Sequence, residues 1–296
     1  MIGLIGIGMM GRGIGHSLLR SGHPLSVLGN KRREAVEELL ARGAIEAVSP
    51  AAMVSRVEAI ILCLPSEAAV REVLFGPSGI SSTARPGLLV LECSTLTPTT
   101  GRDLAEQLAR IGVDFVDAPL TGGPTEAMQG RLNALVGGDG IPPAVDSILA
   151  TFCKQTFRFA GAGNGYGAKL ISNFLAFNNL VAIAEAMTTA QKAGMDIDTL
   201  LAAIEGAGGQ NRCLTGLGPW LTGNGQSRSR VKLEIAAKDV SYYCLLAQEL
   251  GTLGPVAEQV RNRLRQGVAD GLGSELTPQY ISHVAAAAGV RLPVSP

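Results

Sequence analysis

The first half of the sequence alternates short apolar runs with helical patterns, and this alternation restricts the possible folds more than any other feature. The runs are mostly β-branched or aliphatic and are bounded by Gly, Pro or Asp. Such a rhythm is typical of β–α–β units on a parallel sheet, whose strands are apolar throughout because both faces are covered. We predict strands at residues 2–7, 24–28, 59–64, 88–93, 114–119, 133–136 and 156–159.

The pattern changes after Gly161, where further strand patterns almost disappear. Residues 168–194 are apolar on most sides and contain no Pro or Gly before their end, which predicts a long helix buried between domains or subunits. Further helices are predicted near residues 197–205, 231–250 and 255–267. We therefore predict two domains, residues 1–162 with the sheet and residues 163–296 with helices only.

Length and composition are those of a globular protein. A chain of 296 residues is long enough for two domains of about 150 residues each. Hydrophobic residues make up 46% and charged residues 17%, which argues against a disordered chain. The 25 basic residues balance the 25 acidic ones, so no net field attracts a polyanion and we expect no nucleic-acid partner.

Cysteine spacing and the N-terminus indicate a cellular compartment. The 5 cysteines are widely spaced without a C-x-x-C pair, so we expect reduced thiols and no metal site. The chain starts without a basic leader, and we expect no apolar segment of the roughly 18 residues that a membrane span needs. A cytoplasmic protein without a membrane partner is the resulting expectation.

A glycine-rich motif, Gly-Ile-Gly-Met-Met-Gly, directly follows the first predicted strand and opens a helical pattern. In this motif the first glycine permits a tight turn, the second admits a pyrophosphate and the third lets the helix pack closely. The phosphate then meets the helix N-terminus. The predicted fold class is therefore α/β, with an N-terminal Rossmann dinucleotide-binding domain joined by the long helix to an all-α C-terminal domain. The predicted cofactor contacts here are Gly6, Gly8, Met9, Met10 and Gly11.

The second predicted strand lacks the acid that binds the ribose 2′-hydroxyl of NAD. It is followed by Asn30, Lys31 and Arg32, and the first acid, Glu34, already belongs to the next helical pattern. Because Lys31 and Arg32 can pair with a 2′-phosphate, we predict NADP(H) as the preferred cofactor and NAD(H) as a possible one. A solvated helix start with surface cations is the alternative interpretation.

Two other predicted strands end in residues that can line the same groove. Leu64 and Pro65 follow one strand, and Thr95 follows the next. In parallel sheets, ligands bind outside the carboxyl ends of the strands. We therefore predict Leu64, Pro65 and Thr95 as further cofactor contacts.

Four blocks of the sequence, in order, resemble the β-hydroxyacid dehydrogenase family. The fingerprint of residues 6–23 continues with Met10-Gly11, Leu18 and Gly22-His23, as in that family. Asp-Ala-Pro-Leu-Thr-Gly-Gly at residues 117–123 looks like its substrate-binding block. Residues 163–173, with Lys169 and Asn173, are similar to its catalytic block, and Lys238-Asp239 looks like its late cofactor-contact pair.

The resemblance implies an enzyme that uses a nicotinamide cofactor to interconvert a small hydroxy acid and its semialdehyde or keto form. Lys169 would be the general acid and base, assisted by Asn173, and Lys238 would contact the cofactor. This fits the chemistry, because reduction of a carbonyl leaves an alkoxide that must receive a proton. A homodimer or homotetramer is expected, since the long apolar helix needs a covering surface.

The segment Thr121, Gly122 and Gly123 is the predicted substrate-binding site. It lies between a strand and a helical pattern, so its hydroxyl and backbone N–H groups can receive a carboxylate. The family more often has Ser at position 121, so the extra methyl of Thr bears on substrate size rather than on the reaction. Gly15 and Ser17 also replace the usual Ala and Asn of the first helix.

Three alternatives stay open at this point. An imine reductase has a related fold but usually carries Asp or Tyr at the position of Lys169. A 6-phosphogluconate dehydrogenase would need a longer helical domain. A dinucleotide-binding module without catalysis, such as a chromatin-type reader, would be expected to have lost Lys169.

Overall fold

The computed structural model describes residues 1–29 and 33–295. The chain divides into two compact units, Met1–Lys169 and Leu170–Pro296. We predicted a domain boundary between residues 162 and 163, and that boundary stays a prediction.

The first unit is built on one sheet. Its strands are β1 (Ile2–Ile5), β2 (Leu25–Leu28), β3 (Ile45–Glu46), β4 (Ala59–Leu62), β5 (Leu89–Glu92), β6 (Asp114–Asp117), β7 (Leu120–Thr121), β8 (Leu132–Gly137) and β9 (Cys153–Phe159). The spatial order is β3-β2-β1-β4-β5-β6-β8-β7, with β9 also paired to β8. Strands β1 to β6 pair in parallel, whereas β8 runs antiparallel to β6 and β7. The carboxyl ends of β1, β4, β5 and β6 therefore meet at one edge of the sheet.

Helices cover both faces of this sheet. They are α1 (Met9–Arg20), α2 (Arg33–Leu40), α3 (Pro50–Val54), α4 (Glu67–Phe75), α5 (Pro98–Ala109), α6 (Pro124–Gln129) and α7 (Ala144–Leu149), with a 3-10 turn at Ile80–Ser82. Alternate strand residues point into two separate apolar clusters: Leu4 and Ile61 into one, Ile5 and Leu62 into the other. Burial on both faces explains why the strands read as continuous apolar runs.

The second unit is helical. A long helix, α8 (Asn164–Lys192), begins in the first unit and is followed by α9 (Ile197–Ile204), α10 (Arg212–Leu221), α11 (Leu233–Glu249), α12 (Pro255–Gly267) and α13 (Thr277–Ala287), with a π-helical turn at Val268–Leu272. Its apolar core includes Met187, Trp220, Val240 and Ile281. The predicted fold class, a Rossmann-type sheet domain followed by a helical domain with one long helix, is confirmed.

One expectation about α8 is wrong, and another stays a prediction. Burial of α8 between domains or subunits stays a prediction, and in the single chain Ile171 and Leu175 are 51% and 56% exposed. We also expected no apolar segment of membrane-spanning length. Within the described residues, α8 is the one helix long and apolar enough to cross a bilayer, judged by length and composition only, and 39% of its most apolar window is buried. Core helices of globular proteins meet the same criterion, so this is weak support for a membrane span.

Candidate active site

The turn between β1 and α1 has the geometry of a dinucleotide-binding loop. Gly6 has a φ of +100°, and a side chain there would overlap the carbonyl of Cys63. A side chain at Gly11 would overlap the carbonyl of Gly6. A Cβ at Gly8, in contrast, would have no neighbour within 4 Å. The turn is thus closely packed at its first and third glycines and open at the second, where a pyrophosphate needs access.

The start of α1 is suited to an anion. Its first hydrogen bond runs from Arg12 N to Gly8 O (2.9 Å), so the amides of Met9 and Met10 precede the intrahelical ladder. No side chain caps the helix at Gly8, and its first turn contains no acidic residue. The positive end of the helix dipole therefore faces the open side of the turn, and these residues fit the pyrophosphate of a dinucleotide.

Two further turns lie at the same edge of the sheet. Leu64 and Pro65 follow β4, which pairs in parallel with β1. Thr95 follows β5, which pairs in parallel with β4. A hydrogen bond from Leu64 N to Ser94 Oγ (2.8 Å) ties the two turns together. The sheet thus brings Leu64, Pro65 and Thr95 to the edge at which the glycine-rich turn lies.

The predicted 2′-phosphate contacts Asn30, Lys31 and Arg32 lie outside the described residues. On their C-terminal side, Arg33 begins α2 and forms a two-point contact with Glu46, with N–O distances of 2.6 and 3.1 Å. This guanidinium holds the pKa of the Glu46 carboxyl below its usual value. The cation at position 33 is therefore engaged within the protein.

The predicted substrate segment differs from a simple anion-binding loop. Thr121 ends β7 and faces Asn133 of β8, whose Nδ2 donates to Thr121 Oγ1 (3.2 Å). Gly122 has a φ of +115°, which favours glycine, and Gly123 caps α6. We expected the N–H of Gly123 to bind a carboxylate, but it donates to Glu126 Oε2 (2.9 Å). In this arrangement the Thr121 hydroxyl is the better donor for a ligand.

Lys169 lies close to this segment. It occupies the second turn of α8 and is partly buried, and its Nζ donates to Leu120 O (2.7 Å). Leu120 immediately precedes Thr121 in β7. The structure therefore brings the predicted proton donor and the predicted substrate segment together within the first unit.

Two buried carboxylates hold the beginning of α8. Asp117, at the end of β6, accepts hydrogen bonds from Gly163 N (2.9 Å) and Tyr166 N (3.2 Å). Its neighbour Glu92, in register on β5, accepts one from Tyr166 Oη (2.6 Å). Burial raises the pKa of Glu92 to about 7 and raises that of Asp117 above its ordinary value. Asp117 opens the block that resembles the family's substrate-binding block, whereas no role was assigned to Glu92 from the sequence alone.

Asn173 and Lys238 are the two predicted site residues in the second unit, and both contact Asp239. Asn173 Nδ2 donates to Asp239 Oδ2 (2.6 Å), and Lys238 Nζ lies 2.9 Å from Asp239 Oδ1. The same ammonium lies 4.8 Å from the centre of the Tyr242 ring. Asp239 is buried, so its charge is balanced by Lys238 and by the Asn173 amide. Among the described residues of both units, no group of three or more His, Cys, Asp and Glu side chains could hold a metal ion.

Comparison with known families identifies the two parts of the chain. Residues 1–161 match a family model described as the NAD binding domain of 6-phosphogluconate dehydrogenase. Residues 163–284 match one described as the NAD-binding part of NADP-dependent 3-hydroxyisobutyrate dehydrogenase. The chain belongs to the β-hydroxyacid dehydrogenase family. It is an NAD(P)-dependent oxidoreductase of small hydroxy acids.

Similar proteins support this membership of the β-hydroxyacid dehydrogenases. The chain is 30% identical to 2-hydroxy-3-oxopropionate reductase of Escherichia coli over 214 residues, 72% of this chain and 73% of that protein. A crystal structure of 3-hydroxyisobutyrate dehydrogenase from Salmonella typhimurium has a TM-score of 0.84 and 27% identity, covering 95% of this chain and 98% of that one.

One protein similar to this β-hydroxyacid dehydrogenase is not named as a dehydrogenase or reductase. The cytokine-like nuclear factor N-PAC of Xenopus tropicalis is 33% identical over 201 residues, 68% of this chain, but the match covers only 38% of that protein. The particular substrate therefore depends on the residues of the site rather than on family membership alone.

Three residues of this dehydrogenase that the sequence did not predict contact other residues of the site. They are Glu92, Asn133 and Tyr166. Glu92 is the one acid inside a run of buried apolar residues, at 88–93, and a carboxylate there needs a partner. That signal was available. Asn133 and Tyr166 were not predictable, because their partners lie across the sheet and were fixed only by the strand order.

Proposed function

We propose that this β-hydroxyacid dehydrogenase uses NADP(H) to interconvert a small β-hydroxy acid and its semialdehyde or keto form, with Lys169 as the general acid and base. The observation that carries the proposal is the 2.7 Å hydrogen bond from Lys169 Nζ to Leu120 O, directly beside Thr121. It holds an ammonium at the carbonyl of the residue that precedes Thr121, whose hydroxyl can bind the substrate carboxylate.

A bound nicotinamide dinucleotide supplies the hydride for reduction and accepts it in oxidation. During reduction, Lys169 donates a proton to the carbonyl oxygen as negative charge develops there. During oxidation, the neutral amine of Lys169 takes the proton of the hydroxyl. Leu120 O keeps the nitrogen in one position for both directions.

Thr121 is the proposed carboxylate ligand. Its Oγ1 accepts a hydrogen bond from Asn133, so the hydroxyl proton is directed away from that amide and can be donated to a substrate oxygen. A carboxylate bound there would lie beside Leu120, whose carbonyl holds Lys169. The acidic group and the reacting carbonyl of a short substrate would then be close together.

Asn173 and Lys238 are proposed to bind the substrate and the cofactor, respectively. Asp239 accepts from the amide nitrogen of Asn173, which leaves the amide oxygen as an acceptor for a substrate hydroxyl. The same carboxylate pairs with Lys238. A shared buried partner supports a common function for the two side chains, because it restricts both.

The preference for NADP(H) rests on charge. β2 ends without an acidic residue, and Lys31 and Arg32 follow it in the sequence. The family model for the C-terminal part is described as belonging to an NADP-dependent enzyme. An ordinary NAD-specific site would repel the 2′-phosphate with its carboxylate, and none occupies that place in the sequence.

A substrate panel tests the proposed reaction. Purified protein is mixed with NADPH and tartronate, succinic or methylmalonate semialdehyde, and the loss of NADPH absorbance is followed. Turnover of at least one semialdehyde is expected. Saturable NADPH binding without turnover of any member would contradict the proposal and favour a binding module, and turnover restricted to cyclic imines would favour an imine reductase.

We also propose a homodimer or homotetramer in the cytoplasm. The exposed Ile171 and Leu175 on α8 are one turn apart, and covering them would remove apolar surface from water. All five cysteines are free thiols, which fits a reducing compartment. Light scattering should give a mass of two or four chains, and a monomer at micromolar concentration would contradict this.

A further inference from the structure

Glu92 occupies a position that the reaction itself does not use, yet it contacts two elements around the proposed site and reaches a third through Ser94. Its carboxylate accepts from Tyr166 Oη (2.6 Å) at the start of α8. It also accepts from Ser94 N, with distances of 3.0 and 3.1 Å to its two oxygens. Ser94 Oγ in turn accepts from Leu64 N (2.8 Å). One side chain thus links the turns after β4 and β5 to the helix that carries Lys169.

We call the contact between Glu92 and Tyr166 the joint. Glycines in the surrounding backbone leave room for it. Tyr166 is completely buried, and a Cβ at Gly101 of α5 would lie 2.6 Å from its ring. A side chain at Gly165 would overlap the carbonyl of Leu135 and the carboxylate of Asp117. The first turn of α8 therefore sits directly against the sheet, with no room for an alternative position.

We propose that Glu92 and Tyr166 are positioning residues that fix Lys169 relative to the turns on which the cofactor rests. Tyr166 precedes Lys169 by three residues, so the two side chains project from neighbouring positions on the first two turns of α8. Restraining Tyr166 restrains the Lys169 Cα, and the bond from Lys169 to Leu120 then fixes its nitrogen. Glu92 also accepts from Ser94 N, and Ser94 Oγ accepts from Leu64 N, so Glu92 restrains these two turns as well.

The electrostatics of the joint fit a role in positioning. Glu92 and Tyr166 are both 100% shielded from water, and the titratable groups facing Glu92 are Asp117 of β6, Tyr166 of α8 and the thiols of Cys63 and Cys93. Lys169 is a cation whose charge reaches this cluster, because it acts on the Cys63 thiol. Burial raises the pKa of the Glu92 carboxyl, whereas the hydrogen bonds from Ser94 and Tyr166 lower it, so these directional contacts offset part of the cost of burying the carboxylate.

The inference rests on the proposed function, since it assigns a role relative to Lys169. Tyr166→Phe removes the hydroxyl and keeps the ring that packs on Gly101. Glu92→Gln keeps the size of the side chain and one acceptor oxygen. Tyr280→Phe is the matched control, because Tyr280 is also a buried tyrosine but lies in the core of the second unit.

Two measurements test it. In steady-state reduction, Tyr166→Phe and Glu92→Gln should lower kcat about 10- to 100-fold while KM and NADPH affinity change less than about twofold, since misplacement of a catalytic group has effects of that order. The double variant should be no slower than the slower single variant, because both remove one joint. Tyr280→Phe should keep its kcat.

The second measurement does not depend on turnover. Amide hydrogen exchange, followed by mass spectrometry in the protein without cofactor, should become faster in peptides covering residues 93–97 and 163–170 in both joint variants, and not in Tyr280→Phe. Unchanged exchange there, or a normal kcat in a folded Tyr166→Phe protein, would overturn the inference. If the unaltered protein reduces no semialdehyde, the proposed function fails, while the exchange data still decide whether the joint positions α8.

Discussion

Lys169 Nζ donates to the carbonyl oxygen of Leu120 at 2.7 Å. Because Leu120 and Thr121 form β7, this single bond attaches the proposed proton donor to the strand that carries the proposed carboxylate ligand. A backbone carbonyl cannot change its charge or rotate away, so it is a durable support for an ammonium that has to gain and lose a proton.

Gly8→Ala should weaken cofactor binding without unfolding the protein. The added methyl meets no protein atom within 4 Å but occupies the approach of the pyrophosphate. We expect the NADPH Kd to rise at least about tenfold. Gly254→Ala is the control, because Gly254 also caps a helix in an extended conformation with open space around it. Equal NADPH affinity of the two variants would argue against a dinucleotide at this turn.

Arg32→Ala should reduce the preference for NADPH. Removing one charge-assisted bond to the 2′-phosphate costs about 1.5–3 kcal/mol, or roughly 10- to 100-fold in the ratio of kcat/KM for NADPH over NADH. The NADH value itself should stay nearly constant, since its ribose carries no phosphate. An unaltered enzyme that uses NADH as well as NADPH would show that the cation does not select the cofactor.

Gly123→Leu should impair substrate binding. The residue has ordinary extended dihedral angles, and the nearest atom to a new Cβ is the flexible carboxylate of Glu126 at 3.2 Å, so the fold should tolerate the change. The side chain would project beside Thr121, and we expect KM to rise about tenfold or more, with NADPH affinity within twofold. Gly208→Leu, in an open part of the second unit, should leave both constants unchanged. A normal KM in Gly123→Leu would place the substrate elsewhere.

Glu92 should make stability depend on pH. Its pKa is about 7 in the folded protein and ordinarily 4.5, so between these values the folded state holds a proton that the unfolded state has lost. The free energy of unfolding should therefore fall as pH rises through this window, by an amount on the order of 3 kcal/mol. Glu92→Gln should lose the part of this dependence that comes from Glu92 and keep the part that comes from Asp117, whose pKa is also raised.

Urea unfolding of both proteins between about pH 4.5 and pH 8 checks this prediction. The stability of Glu92→Gln relative to the unaltered protein should increase steadily with pH and level off above 7. A difference between the two proteins that is independent of pH would mean that folding does not raise the pKa of Glu92.

The fold was largely predictable because its signals are local. Continuous apolar strands, the glycine motif and the apolar length of α8 are all properties of neighbouring residues. Strands β3 and β7 were missed, since two residues are too few to show a period. The antiparallel course of β8 also has no local signature, because it depends on how the chain returns after α6.

The site was predictable only in part for the same reason. Lys169 and Thr121 could be chosen by their motifs, but the contact through Leu120 depends on where β7 meets α8. Gly123 was expected to donate to a ligand, and the structure engages it with Glu126, whose position three residues later is a common helix-capping pattern. Glu92 and Tyr166 are 74 residues apart, and their pairing required the sheet order.

The most direct test of the account is the turnover of Lys169→Met. Methionine keeps much of the length and apolar packing of lysine but donates no proton, and cofactor binding should survive because Gly6, Gly8 and Gly11 are unchanged. With the best semialdehyde from the panel, we predict that kcat for NADPH-dependent reduction falls by about 10² to 10⁴, the usual range for a lost general acid. A folded Lys169→Met protein that binds NADPH and reduces the semialdehyde at a near-normal rate would contradict the assignment of Lys169 as the proton donor.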